Sequence, residues 1–168
     1  MSYEQHQSSA KSIVARCAIV TLSDTRTLET DAGGKRIAEL LRGAGHVVIE
    51  HRVIPDDAAG FKLALNELLS RPDVDAILTT GGTGISRRDQ AIGVIESIIE
   101  SPLPGFGELF RMLSWDQIAS GALLSRASAG IARGKPLFAM PGSPAAVELA
   151  MTNLILPELR HILHELRK

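Results

Sequence analysis

Cysteine is almost absent from this sequence: Cys17 is the only one in 168 residues. A lone cysteine excludes an intrachain disulfide and suits a reducing compartment. It falls inside an apolar run, residues 13–20, where a small buried residue is expected rather than a nucleophile. Aromatic residues are scarce too, four Phe with Trp115 and Tyr3, so there is no base-stacking platform for nucleic acid. Trp115 itself is expected in the core. Charge of one sign is not in excess, since 18 Lys and Arg face 19 Asp and Glu. Neither nucleic acid nor an acidic membrane is therefore an expected partner, and any anion site must be a local cluster. No apolar run approaches the ~20 residues of a membrane span. The polar first twelve residues lack the apolar core of a signal peptide, and a cytoplasmic protein is expected.

Several catalytic signatures are missing as well. There is no Walker loop, no G-x-S-x-G elbow and no H-E-x-x-H pair. The dinucleotide pattern fails because Arg87 stands where its last glycine would be. His161 and His164 lie three apart near the C-terminus, with no Cys or second carboxylate to complete a metal set, and are expected on the surface.

What is present is an alternation of strand and helix patterns with no internal repeat. Residues 1–12 read as a flexible arm, and 13–168 as one domain, long enough to bury a core without disulfides. Strands are expected at 13–21, 46–54, 74–78 and 136–140. Helices are expected at 33–42, 58–69, 90–99 and 106–113, the last continuing with a break through 117–127. A long helix over 145–166 should kink or restart at Pro157. This pattern predicts an α/β fold with a mostly parallel sheet covered on both faces. The loops that follow the strands, 23–31, 55–57, 79–89 and 140–144, should then share one edge, where such sheets bind ligands.

The richest segment is Leu78-Thr79-Thr80-Gly81-Gly82-Thr83-Gly84-Ile85-Ser86-Arg87-Arg88-Asp89. Bare backbone at a strand-to-helix junction can turn several N–H groups toward one anion. GGTG by itself also reads as a tight structural turn. Arg87 and Arg88 shift the balance, because guanidinium groups suit bidentate phosphate recognition. Asp89 could cap the following helix, and Asp57 the one after the second strand. Asp56 and Asp89 stand about one βα unit apart, so they could instead meet beside the glycine loop and hold Mg²⁺. Pro141-Gly142-Ser143-Pro144 reads both as a second anion-binding elbow and as an ordinary helix cap. Glu108 and Arg111 could pair along a helix face. Ser23, Asp24 and Asp31 form a polar loop with no role assignable from pattern.

Four strings, LTTGGTGISRRD, PGFGELFRML, LSRA and AMPGS, occur in an order and spacing that resembles the MoaB/Mog family of molybdenum cofactor biosynthesis. The likeness runs from about residue 13 to 159. Gln90-Ala91 after Asp89 places it nearest the MoaB branch. The resemblance implies a three-layer α/β/α sandwich assembled as a homo-oligomer, a trimer or a hexamer. It also implies binding of molybdopterin, contacts with other proteins of cofactor biosynthesis, and adenylylation of molybdopterin by Mg-ATP. By the same resemblance Asp56 and Asp89 would be catalytic and bind Mg²⁺. Thr80, Gly81, Gly82, Thr83, Gly84, Arg87 and Arg88 would surround phosphate. Glu108, Pro141, Gly142 and Ser143 would help hold the ligand. Two readings of other classes stay open: a non-catalytic molybdopterin carrier, and a nucleotide hydrolase like the competence-damage proteins that share the fold.

Overall fold

A computed structural model describes residues 10–87 and 89–168. Its chain order is β1 (Arg16–Leu22), α1 (Ala32–Gly43), β2 (Val47–Ile54), α2 (Ala58–Ser70), β3 (Ala76–Thr80), α3 (Ala91–Ile98) and β4 (Ser101–Pro102). Then follow α4 (Pro104–Ile118), a 3₁₀ turn (Ala119–Leu124), β5 (Ser128–Ala132), β6 (Lys135–Met140), α5 (Pro144–Ala150), a π-helical turn (Met151–Ile155) and α6 (Leu156–Leu166). The strands form one sheet in the order β2-β1-β3-β6-β5-β4. The pairs β1/β2, β1/β3 and β3/β6 are parallel, and the last two pairs are antiparallel.

Strand alternation sends side chains to two cores. Cys17, Ile19, Leu78, Phe138 and Met140 pack with α1, α4, α5 and α6 on one face. Ala18, Val20, Ile77, Leu137 and Ala139 pack with α2 and α3 on the other. The central strands are therefore apolar on both sides, as parallel strands under two helix layers must be. The expected three-layer α/β/α sandwich with a mostly parallel sheet is what forms. Cys17 is fully buried, and burial pushes its thiol up to about 12, which fits packing and not nucleophilic chemistry.

Three local expectations need correction. The helix expected through 117–127 ends at Ile118, because Ala119 adopts a φ of 48° and the chain tightens into the 3₁₀ turn. Strands β4 and β5 had no visible pattern, being very short in one case and built of small residues in the other. A hairpin with positive φ at both Arg133 and Gly134 joins β5 to β6. Trp115 is 60% exposed on α4 and is not a core residue. At the C-terminus the expected restart at Pro157 does occur. Pro157 sits in the first turn of α6, and the π-helical turn precedes it.

The arm expected over 1–12 lies mostly outside the described residues. Of its described part, Ala10 is buried and the Lys11 carbonyl accepts from Arg160. Among the described residues, no helix is long and apolar enough to cross a membrane.

Candidate functional site

Because β2, β1, β3 and β6 are parallel neighbours, their four following loops meet at one edge. The chain goes from β1 outward to β2, then crosses back to β3 on the other side of β1. That reversal is the switch point at which open α/β sheets leave a crevice. Four helices start there, three of them behind side-chain caps, with Asp31 capping α1. Asp57 accepts from the Gly60 N–H at 2.7 Å to start α2, and Ser143 accepts from the Ala146 N–H at 3.2 Å to start α5. Helix α3 starts at Gln90 with no side-chain cap.

The glycine loop leaves β3 with φ of 91° at Gly81 and 64° at Gly82, conformations that a Cβ penalises. Thr80 Oγ1 donates to the Pro141 carbonyl at 3.0 Å, and the Gly81 N–H to the Met140 carbonyl at 3.1 Å. These bonds fasten the glycine loop to the Pro-Gly-Ser elbow. Together the two form one wall of a cavity of about 390 Å³, large enough for a small heterocyclic ligand. Its polar lining includes Thr83, Asp89, Gln117 and Ser143, while Phe110 and Leu149 supply apolar surface.

Both aspartates lie against bare glycine. A Cβ on Gly82 would stand 3.2 Å from Asp56 Oδ1, and one on Gly84 would stand 2.6 Å from Asp89 Oδ2. Asp89 does not cap α3 but turns back, accepting the Ser86 N–H at 2.9 Å. Hydrogen bonding by Ser86, then the Gly84 N–H and the Arg126 charge, outweighs burial and holds the Asp89 carboxyl below the usual range. Asp56 goes the other way. Burial, then the charges of Asp89 and Asp24, hold its carboxyl above that range. Asp56 Oδ1 is buried and accepts no hydrogen bond.

An orphaned carboxylate oxygen beside a second, ionised carboxylate is a place a cation would relieve. No group of three acidic or histidine ligands converges among the described residues. A cation here would take one or two carboxylates and complete its shell with phosphate oxygens and water. That is the habit of Mg²⁺ at nucleotide sites, so the residues fit the ion.

Comparison with known proteins places this geometry. The family described as "Probable molybdopterin binding domain" matches residues 18–161. The chain belongs to this family. It is 47% identical to the molybdenum cofactor biosynthesis protein B of Halalkalibacterium halodurans, over 100% of this chain and 99% of that one. A crystal structure of a molybdenum cofactor biosynthesis protein B superposes with a TM-score of 0.90 at 48% identity, covering 92% of this chain and 97% of the other. The tungsten cofactor synthesizing protein MoaB from Pyrococcus furiosus superposes with a TM-score of 0.82 at 34% identity, covering 92% and 98%. A role in molybdenum cofactor biosynthesis follows from that membership.

Within the family's fold, the residues singled out from sequence fall into three groups. Asp56, Asp89, Gly81, Gly82, Thr83 and Gly84 gather at the glycine loop, with Thr80 tied through Pro141 to the elbow of Gly142 and Ser143. Arg87 is exposed at the loop tip, and Arg88 lies outside the described residues. Glu108 is not brought to this cavity. It lines a neighbouring groove of about 650 Å³ with Glu96, Arg111 and Arg126. The expected Glu108–Arg111 pair does not form, and Arg111 donates instead to the Ser125 carbonyl at 3.4 Å. Nor are both C-terminal histidines simply on the surface, since His161 is half-buried and reaches Glu158 at 3.0 Å and Glu165 at 3.6 Å.

Sequence reasoning left Asp24 and Asp31 of the polar loop without a role and missed Arg26 and Arg126. Asp24 Oδ1 accepts the Asp56 N–H at 3.0 Å, setting the backbone of the orphaned aspartate. Arg26 Nη1 donates to the Gly142 carbonyl at 3.1 Å and so braces the elbow. Asp31, fully buried, caps α1 through the Gly34 N–H at 3.0 Å, with Thr21 at 2.5 Å and His51 at 2.8 Å on its other oxygen. Arg126 Nη2 donates to the carbonyls of Gly84 and Asp89. The only signal for the last was the LSRA string, which carries no chemistry of its own.

Proposed function

We propose that this protein adenylylates molybdopterin, transferring AMP from Mg-ATP and releasing pyrophosphate. The observation that carries the reading is the unpaired Asp56 oxygen beside Asp89 on a glycine loop. A pterin carrier needs an apolar slot and hydrogen-bond donors, but it has no use for two adjacent carboxylates with opposed proton affinities.

In this reading the pterin lies in the cavity between Phe110 and Leu149, with its terminal phosphate toward the glycine loop. An oxygen of that phosphate attacks the α-phosphorus of ATP. A bond forms to that phosphorus as its bond to the bridging β-oxygen breaks, and the electron pair leaves with pyrophosphate. The attacking phosphate is already ionised, so no side chain has to remove a proton. Asp56 and Asp89 would hold a divalent cation, which would supply positive charge to offset that of the phosphates. Loop N–H groups, fixed in place before the reaction, supply donors to the developing charge. Arg87, exposed at the loop tip, adds a positive charge that can swing onto a phosphate.

The test is AMP transfer from α-labelled ATP to molybdopterin with Mg²⁺ present. Transfer by wild type should fall by about a hundredfold or more in Asp56→Ala and in Asp89→Ala. Tight pterin binding with no transfer by wild type would leave a carrier instead. Hydrolysis of a nucleotide with no pterin present would select the third reading.

A further inference from the structure

Arg126 holds the ends of the segment that carries Asp89, although no phosphate-binding pattern includes it. It follows the 3₁₀ turn at the start of the approach to β5, 37 residues along the chain from Asp89. Its Nη2 donates to the Gly84 carbonyl and, at 2.6 Å, to the Asp89 carbonyl. Those two carbonyls bound the turn. Inside it, the Ser86 N–H donates to Asp89 Oδ2 at 2.9 Å and the Asp89 N–H to the Ser86 carbonyl at 3.1 Å. One guanidinium nitrogen thus closes the outside of a loop that the carboxylate closes from within.

Stability alone does not explain this arrangement. Arg126 Nε is buried with no partner, and a buried donor left unpaired costs about 1–3 kcal/mol. Among the described residues the side chain forms no ion pair with a carboxylate, although Glu96 and Glu108 line the same groove. Its charge is spent on two carbonyls of a loop whose bare glycines press against Asp56 and Asp89. A second groove, between α2 and α3, is lined by Asp89 and Arg126 together with Lys62. Arg126 therefore stands behind the Asp89 turn, touching the loop's backbone and not the carboxylate.

We propose that Arg126 is a positioning residue, fixing the Gly84 to Asp89 turn so that the Asp89 carboxylate meets the divalent cation that accompanies nucleotide phosphates. The inference rests on the nucleotidyltransferase reading of the same site. Lysine would keep the charge but carries it on a flexible stem, without the planar guanidinium that holds one Nη2 between both carbonyls. Residues that orient a ligand without touching the metal commonly change metal affinity by tenfold or more when replaced.

The test uses full-length protein with Mn²⁺ and a non-hydrolysable ATP analogue, reading bound Mn²⁺ by electron paramagnetic resonance. Arg126→Lys and Arg126→Ala are compared with wild type, and molybdopterin affinity is measured separately on each. Mn²⁺ affinity is expected to fall about tenfold in both variants, with pterin affinity unchanged. If Arg126→Ala does not fold, Arg126→Lys carries the comparison. Mn²⁺ affinity that survives in Arg126→Lys overturns the positioning role. So does a loss shared equally between Mn²⁺ and pterin, which would mark a structural strut. Wild type that takes up no Mn²⁺ with the analogue would overturn the catalytic reading and this inference together, a result separate from failure in the variants alone.

Discussion

Asp56 and Asp89 show how two identical side chains acquire different roles from their surroundings. Asp89 is ionised and satisfied by N–H donors, whereas Asp56 is crowded, half-buried and short of a partner. A carboxyl raised in the folded state contributes stability that is complete below the ordinary carboxylate pKa. That contribution is lost as pH rises through the raised value. At neutral pH the ligand-free protein should therefore be weakened by this group. Asp56→Asn is expected to raise Tm at pH 7 relative to wild type, each kcal/mol relieved appearing as roughly 2–4 °C. The gain should shrink as pH falls and the wild-type carboxyl takes up its proton. Mg-nucleotide should raise the Tm of wild type and not of Asp56→Asn. Thermal unfolding across that pH range, with and without Mg-nucleotide, gives both readings; a variant no more stable than wild type at pH 7 would refute the cause assigned here.

At the scale of elements, the site is a junction of loops held by a few cross-bonds. Thr80 and Gly81 tie β3 to the elbow after β6, Arg26 ties the loop after β1 to the same elbow, and Asp24 ties that loop to the end of β2. The glycine loop can lie so close only where its residues lack side chains. Gly82→Ala would place a Cβ 2.9 Å from that of Ala91 and 3.2 Å from Asp56 Oδ1, at a φ of 64°. The left-handed conformation alone should cost about 1–2 kcal/mol. Urea unfolding is expected to show that loss with the fold retained. AMP transfer should fall by more than the stability loss explains, because Asp56 is pushed aside. Full transfer activity in Gly82→Ala would show that the loop and Asp56 need not touch.

For the whole molecule, the exposed apolar side chains matter most. Leu109, Met112, Trp115 and Ile118 are each 46–62% exposed and recur at helical spacing along α4. The resemblance to the MoaB/Mog family leads to an expected trimer or hexamer, and this stripe is a surface such an assembly could cover. Trp115 is the only tryptophan, so its emission reports on that surface alone. Sedimentation is expected to give a mass of three or six chains of 18.0 kDa. Trp115 emission should shift to the red as dilution dissociates the assembly. A monomer mass with concentration-independent emission would exclude it.

The layered fold, the four loops at one sheet edge and the glycine-rich loop after β3 are all legible in the sequence. Each depends on local periodicity or on turn chemistry written in consecutive residues. The run 74–78 reads as a strand, which forms over Ala76–Thr80, and Pro157 marks the helix restart, because propensity there agrees with packing. Tertiary structure decided the rest. Strand β5 was invisible because small residues carry no period, and its place comes from pairing with β6. Trp115 was misplaced because apolar character does not say which helix face lacks a neighbour. The roles of Asp24, Arg26, Asp31 and Arg126 depend on hydrogen-bond partners 32, 116, 20 and 37 residues away, contacts that only the folded chain brings within reach. The opposed proton affinities of Asp56 and Asp89 likewise arise from burial and neighbours, which no linear pattern records.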